Sequence, residues 1–126
     1  MASVAKQATG IEIVKEAVEK AFENAKLNEI DNIDFLCGDV LEEIEKIKGN
    51  YDVVVLDPPR AGITPESLVK ILKLNPKKYI YISCNPKTQV ENLETFIENG
   101  YKIKKYEIFD QFPNSRHLET IALIEK

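Results

Sequence analysis

Three short stretches of this chain carry residues that can do chemistry together. Cys84 lies in "SCNP" (residues 83–86), Asp57 opens "DPPRAG" (residues 57–62) and Glu119 closes "DQFPNSRHLE" (residues 110–119). A cysteine thiolate is a nucleophile, and a carboxylate within its reach makes a general acid/base partner. An aspartate stiffened by two following prolines suits an amine, a sulfonium ligand or the edge of a nucleobase. Each stretch also has a plain alternative. Asp, Pro and Gly are common turn residues, free cysteine is among the most buried residue types, and 110–119 reads equally as a polar hairpin with a solvated Glu119. His117 stays open between a surface histidine and a member of the site.

Which reading holds depends on the elements that position these residues. "TGIEI" (9–13) is a short β-rich run feeding a helical pattern of Val14, Ala17, Val18, Ala21, Phe22 and Ala25. "NIDFLCGD" (32–39) alternates Ile33, Phe35 and Cys37 with polar neighbours, which puts Cys37 in mid-strand and in the core. Val40, Leu41, Ile44 and Ile47 then suggest a short helix. "YDVVVLDPP" (51–59) is a continuous β-branched run ended by two prolines, as expected of a central parallel strand covered on both faces. "PESLVKILKL" (65–74) places proline at a first helical position, and "KYIYIS" (78–83) is the next strand. Asn85 caps a helix with Pro86 in its first turn, carried by Val90, Leu93, Phe96 and Ile97 and stopped by Gly100. "YKIKKYEIF" (101–109) and "LETIALIEK" (118–126) are the last two strands.

Strands alternating with helices define an open, mostly parallel α/β sheet, with ligands at the carboxyl ends of the strands. The last connection has no room for a crossover helix, so the final strand must return antiparallel and start on that same rim. Asp57, Cys84 and Glu119 should therefore converge. Cys84 also just precedes a helix, where the positive end of the macrodipole favours thiolate over thiol.

The bulk properties bound the partners. The chain has 126 residues, 44% of them hydrophobic and 30% charged, enough for one domain with a real core. No apolar run approaches the roughly 18 residues of a membrane span, and "MASVAKQATG" lacks the apolar core of a secretory signal, so a cytoplasmic setting is expected. Two cysteines without CxxC spacing argue against a disulfide framework, and with one histidine no metal site is expected. A net charge of -4 supplies no basic field for nucleic acid.

Taken together, "DPPRAG", "SCNP" and "FPNSRHLE", in this order and at these strand ends, resemble the RNA uracil-C5 methyltransferases, from about Gly10 to the C-terminus. That family uses S-adenosyl-L-methionine to make 5-methyluridine in tRNA and rRNA. The resemblance implies a Rossmann-like class I methyltransferase fold with Cys84 as nucleophile and Glu119 as the base. It further implies that Glu12 holds the cofactor ribose hydroxyls, that Asp39 faces the adenine and that Asp57 binds the cofactor. Arg60, Asn85, Arg116 and His117 are assigned to the RNA substrate. Arg60 and Arg116, with Lys87, are the cations nearest the rim, open to RNA phosphates or simply solvated.

Class I methyltransferases begin with a strand and a glycine-rich loop, and "ASVAKQAT" is neither. Residues 1–126 are therefore expected to be a partial catalytic domain, 1–9 being an artificial start or a helix remnant, without the family's RNA-recognition parts. Without that strand, the first and third strands here pair directly, or an edge opens that a second copy fills as a dimer. Alone, such a piece is expected to bind cofactor weakly or not at all and to be catalytically silent. Two other classes stay in view. N-methyltransferases of nucleic-acid bases carry an aromatic where Arg60 stands, and a non-catalytic Rossmann-like binding or assembly module has no need of Cys84.

Overall fold

The computed structural model describes residues 2–47, 49–111, 113–115 and 118–126; Arg116 and His117, both assigned above to substrate, lie outside them. The chain divides into two compact units, Met1–Lys48 and Gly49–Lys126. Among the described residues no helix is long and apolar enough to cross a membrane.

The first unit holds a 3-10 turn (Ala2–Val4), β1 (Ala8–Glu12), α1 (Lys15–Leu27), β2 (Ile33–Cys37) and α2 (Val40–Lys46). β1 and β2 pair in parallel from Ala8↔Ile33 to Glu12↔Cys37. Gly10 is required where it stands, because a Cβ there would lie 2.9 Å from the ring of Phe35. That ring meets Phe22 of α1 edge-on at 5.0 Å. The Asn32 side-chain amide donates to the carbonyls of Ala2 and Ala5, both at 2.8 Å, and pins the N-terminal turn. One expectation fails here. Cys37 ends its strand and is exposed rather than in the core. The apolar stripe of α1 buries only Val18, while Phe22 remains 49% exposed.

The second unit holds β3 (Val53–Leu56), α3 (Pro65–Lys73), β4 (Lys78–Ser83), α4 (Pro86–Glu98), β5 (Lys102–Phe109) and β6 (Glu119–Glu125). Its sheet runs in the order β3-β4-β6-β5, with β3 parallel to β4 and β6 antiparallel to both neighbours. The short connection before β6 explains the reversal: antiparallel neighbours need only a loop, whereas a parallel crossover needs a dozen or more residues. The expected single sheet is corrected, since β1–β2 and β3–β6 are separate ladders and β1 does not pair with β3.

Side-chain alternation explains the core of this unit. Tyr79, Tyr81 and Ser83 of β4 share a face with their ladder partners Ile124, Ala122 and Thr120, and all six are buried. Phe96 of α4 packs edge-on to Tyr79 at 4.9 Å, and Tyr101 meets Tyr79 at 5.1 Å. Such pairs add about 0.5–1.5 kcal/mol each beyond the area they bury. Each of the three buried phenols finds an acceptor: Tyr79 donates to the Ile71 carbonyl, Tyr101 to that of Pro76, and Tyr81 to Asn92 Oδ1 at 2.8 Å.

This burial predicts an alkaline limit. Loss of hydration pushes the Tyr81 phenol up to about 12, and burial, with Tyr101 adjacent, pushes that of Tyr79 up as well. An unfolded tyrosine ionises near pH ~10. A folded value above the unfolded one means that the contribution to stability is complete below about pH 10 and is lost as pH rises toward 12. The melting temperature should therefore hold steady through neutral pH and fall across that alkaline window, with tyrosinate absorbance appearing together with unfolding. Tyrosinate rising in a chain that is still folded contradicts the assignment.

Candidate active site

Each candidate side chain owes its place to a strand end. β3 and β4 are parallel with Leu56 opposite Tyr81, so Asp57 and Cys84 leave the sheet on the same rim. On the other side of β4, Ser83 pairs with Thr120 of β6. Because this pair is antiparallel, the next position along β4 is Cys84 and the preceding one on β6 is Glu119, which puts thiol and carboxylate on adjoining strands at one level. Glu119 is half-buried and is itself fixed by pairing with Phe109 of β5. Cys84 is a free thiol, also half-buried.

The loops after β3 and β4 form one hydrogen-bonded body. Asn85 caps α4 through a bond from the Lys87 amide to Oδ1 at 3.2 Å, while its Nδ2 donates to the Arg60 carbonyl at 3.1 Å. Thr88 Oγ1 also reaches the Arg60 carbonyl, at 3.4 Å. One turn further along α4, Asn92 accepts from the Ile63 amide and donates to the Ile63 carbonyl, both at 2.9 Å. The stretch from Arg60 to Ile63 is thereby clamped onto the first two turns of α4. Asn85, assigned above to substrate, has both polar ends of its side chain engaged within the protein. It holds the two loops together, which leaves exposed Arg60 as the described residue of the substrate set that faces solvent.

Gly62 makes this close approach possible. Its φ is +80°, and a Cβ there would lie 3.0 Å from Asn92 Oδ1 and 3.1 Å from Thr88 Cβ. Gly62→Ala should therefore cost about 1–3 kcal/mol through backbone strain alone. Chemical denaturation should show a lower midpoint with an unchanged slope; an unchanged midpoint means that the loop is not held as described.

In the first unit, Glu12 and Asp39 stand at the carboxyl ends of neighbouring parallel strands. Glu12 is opposite Cys37, and the Gly38 amide donates to the Glu12 carbonyl at 3.0 Å. Each carboxylate commits one oxygen locally: Glu12 Oε1 accepts from the Val14 amide at 2.8 Å, and Asp39 Oδ1 caps α2 through the Leu41 amide at 2.7 Å. Two adjacent exposed carboxylates at such a rim are suited to the hydroxyls and amino group of a nucleoside. Among the described residues no group of three or more potential metal ligands comes together.

Sequence reasoning passed over Gln89, Asn92 and Thr120. The face of α4 assigned to the core was Val90, Leu93, Phe96 and Ile97, yet Val90 and Ile97 are each 51% exposed and the buried residues are Gln89, Leu93 and Phe96. The signal was there, because Gln89, Leu93 and Phe96 stand at i, i+4 and i+7. A count restricted to apolar residues skips the glutamine.

Among solved structures, a tRNA (uracil-54, C5)-methyltransferase of Pyrococcus abyssi in complex with S-adenosyl-L-homocysteine matches at TM-score 0.80 and 28% identity, over 94% of this chain and 28% of that one. An rRNA methylase of Streptococcus thermophilus matches at TM-score 0.74 and 12% identity, covering 99% of this chain and 76% of the other, a likeness of fold alone. The architecture is thus the Rossmann-like fold of class I methyltransferases. The model of the tRNA (uracil-5-)-methyltransferase family matches residues 1–126, and the chain belongs to that family. An uncharacterized RNA methyltransferase of Clostridium tetani is 46% identical over 97% of this chain, and one of Caldanaerobacter subterraneus is 44% identical over 100% of it. This chain spans 27% and 28% of those two relatives.

Proposed function

We propose that the intact protein methylates C5 of uridine in RNA through a covalent adduct between Cys84 and C6 of the base. The observation that carries the reading is the rung that sets Cys84 level with Glu119. Uracil C5 is a weak nucleophile because the ring is electron-poor. Addition of the Cys84 thiolate to C6 forms an Sγ–C6 bond and moves electron density onto C5. S-adenosyl-L-methionine, when bound, would supply an electrophilic methyl group to the activated C5, its methyl–sulfonium bond breaking to leave the neutral thioether S-adenosyl-L-homocysteine. Glu12, Asp39 and Asp57 are the residues to hold that cofactor. Glu119 then accepts the C5 proton, the double bond re-forms, and the Sγ–C6 bond breaks to release Cys84 as thiolate. Arg60, with Arg116 and His117, is assigned to the RNA. A cytoplasmic tRNA or rRNA is the expected partner, and tRNA is the first to assay, given the specificity of the Pyrococcus abyssi relative.

The test is mechanism-based trapping of the full-length protein on 5-fluorouridine RNA. Fluorine at C5 leaves Glu119 no proton to remove, so a methylated adduct should persist through denaturing electrophoresis and map by mass spectrometry to the peptide containing Cys84. Methylation of uridine RNA with no adduct on the fluorinated substrate removes the covalent reading.

A further inference from the structure

We propose that Gln89 and Thr120 are positioning residues that set the reach between Cys84 and Glu119, and that they act on release of the adduct more than on its formation. The inference rests on the function proposed above. Ser83, Gln89 and Thr120 are the buried polar side chains of the described residues, at 1%, 0% and 0% exposure. None is left unsatisfied. Two of them directly flank the reacting side chains, Ser83 before Cys84 and Thr120 after Glu119.

Their bonds tie three elements together at this point. Gln89, in the first turns of α4, donates from Nε2 to the Tyr81 carbonyl of β4 at 2.8 Å. Its Oε1 accepts from Thr120 Oγ1 of β6 at 2.7 Å, and the same hydroxyl lies 3.0 Å from the Ser83 carbonyl. Ser83 Oγ accepts from the Asn85 amide at 3.0 Å, so the backbone on both sides of Cys84 belongs to one network. An apolar core would close the space under these strands at lower desolvation cost. What a bonded network adds is a fixed rung, because each bond has a defined length and direction. Adduct formation needs Cys84 alone, whereas release needs Glu119 at the correct distance from C5. Loosening the tie between β4 and β6 therefore falls on the second step.

The experiment uses the full-length protein with two readouts, adduct formation on 5-fluorouridine RNA and turnover on uridine RNA. Thr120→Val keeps the shape and removes the hydroxyl. It should form the adduct on the fluorinated RNA within about threefold of the wild-type rate, while kcat on uridine RNA falls about 10- to 100-fold, the scale of a misplaced reacting group. KM should change little, and adduct should accumulate on ordinary uridine RNA. Thr120→Ser, which restores the hydroxyl, should recover turnover. If Thr120→Val does not fold, Gln89→Met, similar in length but without donor or acceptor, takes its place with the same expectations. Unchanged turnover in the valine variant, equal loss of both rates, or failure of Thr120→Ser to recover overturns the positioning role. A wild-type protein that forms no adduct overturns the proposed chemistry itself, so the two failures are distinguishable.

Discussion

Replacing Cys84 with alanine should lower kcat/KM for methyl transfer by about 10⁴-fold or more, the scale seen when a covalent nucleophile is removed, with the fold unchanged. The second half of that expectation separates nucleophile from core filler. Cys84 is half-buried and stands between residues that are held independently of it: Ser83 by the ladder to Thr120, Asn85 by its cap on α4 and its bond to the Arg60 carbonyl. Loss of one sulfur atom at such a site should shift stability by no more than about 0.5 kcal/mol. Transfer of labelled methyl from S-adenosyl-L-methionine to RNA, measured beside thermal unfolding, checks both halves. Intact activity with a lowered melting temperature makes Cys84 a packing residue and removes the covalent mechanism.

The strand ends were legible because local chemistry marks them. Two prolines after Asp57 cannot continue a ladder, Asn85 with Pro86 begins a helix, and the short span between Phe109 and Leu118 excludes a crossover, so three loops had to share a rim. What stayed hidden depends on partners distant in the sequence. The clamp between Arg60 and Asn85 joins residues on different loops, and the fixed rung depends on Gln89 and Thr120, which are separated along the chain by the whole of β5. Periodicity read only in apolar residues assigns Val90 and Ile97 to a core that in fact takes Gln89. Cys37 misled for a related reason. Alternation within a strand says which residues share a face, but which face is covered depends on what packs there, and Cys37 is exposed.

Replacing Glu119 with glutamine should give the opposite phenotype to Cys84→Ala, a protein that reacts but does not let go. Glutamine matches glutamate in size, so the pairing of residue 119 with Phe109 and the neighbouring rung at Thr120 should survive. What is lost is the base. Removing a general base typically costs about 10²- to 10⁴-fold, and here the loss falls after the Cys84 adduct has formed and been methylated. The variant should therefore accumulate covalent complex on ordinary uridine RNA, a species that the unsubstituted protein needs a fluorine at C5 to display. Adding Cys84→Ala to this variant should abolish the complex, since no Sγ–C6 bond can then form. Burst kinetics give the quantitative check: one methyl group per protein transferred at close to the wild-type rate, then turnover slowed by the factor above. A Glu119→Gln protein that turns over at the normal rate leaves Glu119 as no more than the first residue of β6, and one that is slow with no trapped complex assigns the C5 proton to another group and Glu119 to an earlier step.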